Sequence, residues 1–173
     1  TGLADASTID SLSDEMVVDG GGSTALSSVY LVRSVDALTD VTLITGNDGN
    51  ISVGASYEQM MAGSSTGFFN AYVTPVQAYL GLQIGSIYSV GRIANLDASA
   101  NGLTDDKISD ALSKFPAARP ATHLVMNRRS LQQLQASRTA TNPTGAPAPF
   151  PQSAFGVSIV VSDAVGNSET ALT

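Results

Sequence analysis

TDDKISDALSKFPAARPATHLVMNRRSLQQLQ, residues 104–135, decides the fold class, because it holds two helices and a strand with their boundaries marked. Thr104 is placed to cap a helix whose first turn carries Asp105 and Asp106, charges that complement the positive end of the helix dipole. Ile108, Ala111, Leu112 and Phe115 form its apolar stripe, and Pro116 ends it. ATHLVMN then reads as a short apolar strand, and Asn127 is placed to cap RRSLQQLQAS, with Leu131 and Leu134 facing inward. Residues 138–153 hold four of the seven prolines without periodicity and read as a loop. FGVSIVVSDAV follows as a strand in which Val157, Ile159 and Val161 share a face. Helices and strands mixed in this way predict an α+β fold.

Upstream, Ile9, Leu12 and Met16 lie on one face of a predicted amphipathic helix that ends before Asp19. The triple glycine in DGGGST reads as a turn or hinge, and SVYLVRSV as a strand. It is no phosphate loop, since no Gly-Lys-Ser or Gly-Lys-Thr follows. VTLITGNDGNISV reads as strand, turn, strand, because Gly46, Asn47, Asp48, Gly49 and Asn50 tolerate positive φ, and is expected to form a hairpin. The same cluster lacks the downstream acid of a calcium loop. Residues 56–97 show a mixed period broken by glycines and Pro75; Tyr72, Val73, Val76 and Tyr79 alternate with small or polar neighbours, as extended structure does. SIYSVGRIANLD reads as a further strand, and a lone Arg92 inside it calls for a carboxylate partner in its own chain or a neighbouring one.

Composition narrows the function classes. The chain has 173 residues, enough for one domain or one with an embellishment. It contains no Cys, so disulfides, thiolate metal sites and cysteine nucleophiles are excluded. Eight basic against fifteen acidic residues give a net charge of −7, the wrong sign for a dedicated nucleic-acid binder. Charged residues make up only 13%, about half the usual share. A neutral, hydroxyl-rich surface of this kind suits a protein packed against copies of itself, and equally a monomer with a polar uncharged skin. No apolar run spans a membrane, and the start lacks the pattern of a signal peptide. Beginning with Thr rather than Met points to a processed product, a proteolytic fragment or a cloned segment.

The chemistry-bearing residues are few. His123 is the single histidine, at the start of an apolar strand, and reads as structural. No Gly-x-Ser-x-Gly elbow occurs, and the adjacent acids at helix starts are explained by capping. The reading is of a non-enzymatic protein without metal or cofactor. Were it instead a hydrolase built on scattered carboxylates, Asp97, Asp105 or Asp163 would line a deep pocket with raised pKa values.

The order of helix, strand ending in Met126-Asn127, helix, polar loop and the strand carrying Phe155, Gly156, Val161, Ser162 and Asp163 resembles the C-terminal axial region of tailed-bacteriophage major capsid proteins of the Hong Kong 97 type. GGSTALSSVYLVR and YLGLQIGSIYSVGRIANLD are similar to stretches of a podophage-like or prophage-encoded branch. The resemblance implies a central mixed sheet flanked by short helices, with residues 1–95 as a peripheral-type region and 96–173 as an axial-type region of a larger subunit. The first eighteen residues or so would end its spine-helix region. It implies a structural subunit that assembles into pentamers and hexamers around a DNA genome, with scaffold, portal and decoration proteins as further partners. Such a subunit is made in the bacterial cytoplasm and resides in the virion. Arg128, Arg129, Arg138, Pro147 and Pro149 are the expected inter-subunit contacts. Two arginines at a helix start oppose the dipole unless a partner's carboxylate compensates, and two solvated arginines are the plainer reading. A tail-associated or secreted non-catalytic binding module is the alternative.

Overall fold

A computed structural model describes residues 16–63, 67–138 and 149–172. The predicted helix over Ile9, Leu12 and Met16 lies outside these residues up to position 15, and its expected last residues, Val17 and Val18, belong instead to a strand, Val17–Asp19, because they pair with Arg92 and Ile93. The chain is mixed α+β and divides into two compact units, one of residues 1–42 with 84–173, called the body below, and one of residues 43–83, called the ribbon. The body's main sheet draws strands from both sides of residue 95.

That sheet has six strands in the order β1 (Val17–Asp19), β9 (Val90–Leu96), β2 (Ser27–Val32), β10 (His123–Met126), β12 (Val157–Val161) and β11 (Ser153–Ala154). β1 runs parallel to β9 and β10 parallel to β12, whereas β2 is antiparallel to both of its neighbours. Val29, Leu31, Ile93, Leu96, Leu124 and Met126 are buried in one core with Ile108, Ala111, Phe115 and Leu134. Helix α1 (Asp105–Ser113) supplies Ile108 and Ala111 and packs against β9 and β1. Helix α2 (Arg128–Ser137) supplies Leu134. Both caps form as the sequence predicts: Thr104 Oγ1 accepts from Lys107 N at 3.4 Å and Asn127 Oδ1 from Ser130 N at 2.8 Å.

The triple glycine is a place of close approach. Gly20 N and Gly22 N donate to the carbonyls of Ala94 and Asn95, each at 2.8 Å. A Cβ on Gly20 would lie 2.6 Å from Ala94 O and one on Gly22 2.5 Å from Asn95 O, so a side chain would break this register. The Phe-Gly pair also has a mechanical reason. Phe155 (φ 50°) and Gly156 (φ 79°) are the two central residues of a tight turn joining β11 to β12, with Ala154 facing Val157. The Pro-rich loop read over 138–153 thus ends in a two-residue strand, and residues 139–148 of it lie outside the described residues.

The ribbon holds β4 (Ser52–Val53) paired with β7 (Val76–Gln77) and β5 (Tyr57–Ala62) paired with β6 (Phe68–Val73), both antiparallel. At its base β3 (Val41–Thr45) pairs with β8 (Leu80–Ile84). The hairpin predicted over 41–53 does not form. Asn47, Asp48 and Gly49 do adopt positive φ, in a single 3-10 turn, but the strands on either side bond to β8 and β7 instead of to each other. The turn formers make a jog in one arm of a longer hairpin.

Candidate interaction surface

Within the body, the groups able to do chemistry are tied into structure. Asp40 is fully buried and its carboxylate is clamped: Arg119 Nη2 lies 2.6 Å and Arg33 Nε 3.0 Å away, and Val35 N and Asp36 N donate to Oδ2. Desolvation works to raise its pKa, and the donors from Arg119, Asp36, Val35 and Arg33 together overcome it and hold the group at about 2. Asp97 accepts from Asn101 N and Ser99 N, each at 2.9 Å, and these backbone bonds lower its pKa. That is opposite to the raised value a carboxylate hydrolase would need. Asp105 is held by Arg138, and Asp163 is solvent-exposed. His123 Nδ1 is 2.8 Å from the Thr122 hydroxyl. Among the described residues no three His, Cys, Asp or Glu side chains gather as a metal site would require.

Arg92 has its carboxylate partner within the chain. Nη2 donates to Glu169 Oε2 at 2.8 Å, Nε donates to Ser28 Oγ at 2.9 Å, and the guanidinium stands 5.6 Å from the Tyr30 ring centroid. This cluster pins the C-terminal segment to the sheet. Asn127 does a second task beside capping: its Nδ2 donates to Asn167 Oδ1 at 2.8 Å and to the carbonyls of Val165 and Gly166. One buried side chain thereby joins the end of β10, the start of α2 and the turn after β12.

The expected contact residues fall into different surroundings. Arg129 donates to Ala25 O at 2.7 Å, Ser27 Oγ at 3.0 Å and Leu96 O at 3.2 Å, so it is engaged inside its own chain. Arg138 makes a two-pronged pair with Asp105, Nε to Oδ2 at 2.8 Å and Nη2 to Oδ1 at 2.6 Å. Arg129 thus meets neutral oxygens of its own chain, where a carboxylate was expected to compensate it. Pro149 is exposed, and Pro147 lies outside the described residues. Arg128 alone of the arginines at the start of α2 is exposed, without an ion-pair partner among the described residues. It borders a groove of about 380 Å3 with Leu131, Gln132, Phe150 and Val161.

The largest anomaly is the ribbon. On one face of β5 and β6 lie Glu58 opposite Tyr72, Met60 opposite Asn70 and Ala62 opposite Phe68; on the other lie Tyr57, Gln59 and Met61 opposite Val73, Ala71 and Phe69. Met60 (66%), Phe68 (73%) and Tyr72 (78%) are mostly exposed, and so are Tyr57, Met61 and Phe69 on the opposite face. Val53, Val76, Leu80 and Leu82 continue the pattern. The sole charged side chain of β5 and β6 is Glu58, which accepts a 2.6 Å bond from the Tyr72 hydroxyl; that bond raises the Tyr72 pKa. Apolar residues on both faces of a two-stranded ribbon cannot be buried by the ribbon itself. Sequence reading saw extended structure here and missed its significance. The available signal was charge: between Gly49 and Gln83 the sequence holds one ionisable acid and no base.

No family model matches the chain, and comparison with curated proteins finds no match.

Proposed function

We propose that this chain is a structural subunit of an icosahedral tailed-phage capsid of the Hong Kong 97 type, working by assembly with copies of itself and not by catalysis. The observation that carries the reading is the ribbon. A chain acting alone leaves its Met60, Phe68, Tyr72 and Leu80 side chains in water, whereas a chain surrounded by copies covers them. Shell building requires many contacts that are weak singly and strong in sum, and a sparsely charged ribbon with free edges can supply them. The order of Met126-Asn127 and Phe155-Gly156 in the sequence adds to it. In this reading the copies form pentamers and hexamers in the virion, and scaffold, portal and decoration proteins are further partners.

The test is negative-stain electron microscopy of the uninterrupted reading frame containing this chain, expressed alone and beside its neighbouring genes. Closed shells, rings or tubes are expected. Monodisperse monomers under both conditions would overturn the reading and favour a tail-associated or secreted binding module.

A further inference from the structure

We infer that the Glu58, Met60, Phe68 and Tyr72 face of one copy's ribbon seats in the groove beside Arg128 of a second copy. The inference rests on the assembly reading above and names the surfaces that meet. Two observations favour a second copy as the occupant.

The first is charge. The ribbon contains no Lys or Arg, and Glu58 is the one charge on β5 and β6. Arg128 is exposed at the first turn of α2, where a cation opposes the helix dipole and gains from a carboxylate beside it. The second is shape and polarity: Leu131, Phe150 and Val161 make the groove apolar, and its volume of about 380 Å3 accommodates aromatic or thioether side chains of the kind that flank Glu58.

Glu58 and Arg128 belong to different surfaces, so the contact is head-to-tail. A contact of that class closes into rings when its rotation permits, as capsomers require. A self-complementary pairing of two ribbons would instead bring Glu58 toward its own copy and leave Arg128 without a carboxylate.

The absence of cysteine makes a direct test possible in the full chain. Chains carrying Glu58→Cys are mixed with chains carrying Arg128→Cys at a concentration where the wild type associates, oxidised, and run on a non-reducing gel. Heterodimers cross-linked between the two variants are expected, and none with Ala118→Cys, an exposed position, in place of Arg128→Cys. In parallel, Glu58→Arg and Arg128→Glu should each weaken association about tenfold, and the double reversal should restore it to within about threefold. Circular dichroism melts of the variants confirm that exposed-site changes leave the body folded. Association unchanged by either reversal, or no cross-link at 58 and 128, would overturn this contact while leaving the assembly reading standing. A wild-type chain that never associates would overturn both.

Discussion

Strands β9 and β6 are both rich in apolar residues and have opposite surroundings. VGRIANL of β9 is buried from Gly91 to Leu96, between β1 and β2 and under α1, and even its arginine is neutralised by Glu169. FFNAYV of β6 carries as much apolar material, yet it has a single strand partner and leaves Phe68, Phe69 and Tyr72 exposed. The difference teaches that apolar content alone does not define a core. A strand is buried when other elements reach it, and the body provides them while the ribbon does not. In the body, apolar side chains stabilise the fold; in the ribbon most of them stay exposed.

Substitutions should separate these two roles. The largest effect on folding is expected from Leu124→Ala, which leaves a cavity between β2 and β12 and should cost about 3 kcal/mol in urea unfolding. Asn127→Ala removes a helix cap and three bonds to residues 165–167, and should cost about 1.5 kcal/mol in the same measurement. A change comparable to that of Asn127→Ala is expected from acid. The folded-state pKa of Asp40 is depressed from 3.8 to about 2, so its contribution is complete above pH 3.8 and is lost as pH falls toward 2. The melting temperature should therefore drop over that window, and Asp40→Asn, already less stable at neutral pH, should show a shallower drop. The smallest effect on folding belongs to Phe68→Thr and Tyr72→Thr, within about 0.5 kcal/mol by urea unfolding. A ribbon substitution that destabilised the chain as much as Leu124→Ala would erase the contrast between the two regions. Hydrogen exchange sharpens it: amides of β2, β9 and β10 should exchange slowest, and those of β5 and β6 much faster.

What could be read from the sequence followed the range of the interactions. Thr104, Pro116 and Asn127 act on neighbours within four residues, and the helices they bound form where they predict. The need of Arg92 for a carboxylate was legible because burial of a charge demands it, but Glu169 stands 77 residues away and no spacing rule points to it. The Gly46–Asn50 cluster misled for the same reason. Its residues do turn the backbone, yet strand pairing was decided by residues 76–84, beyond the reach of local propensity. Arg129 and Arg138 were sought as contacts between chains and found acceptors on Ser27, Leu96 and Asp105 of their own chain, which only tertiary folding brings near. The ribbon was visible as extended structure, and its scarcity of charge sets it apart in the sequence, but exposure depends on what surrounds a strand and local pattern alone does not fix it.

The central claim is that the ribbon is an assembly surface. Sedimentation velocity over a range of concentrations would test it most directly, comparing the intact chain with one in which residues 43–83 are replaced by a two-residue Asn-Gly turn, and using hydrogen exchange to verify that the six-stranded sheet persists. The account predicts that the intact chain grows in sedimentation coefficient with concentration and that the excised chain, its sheet retained, stays monomeric. An intact chain that is monomeric throughout, or an excised chain that associates as readily as the intact one, would contradict it.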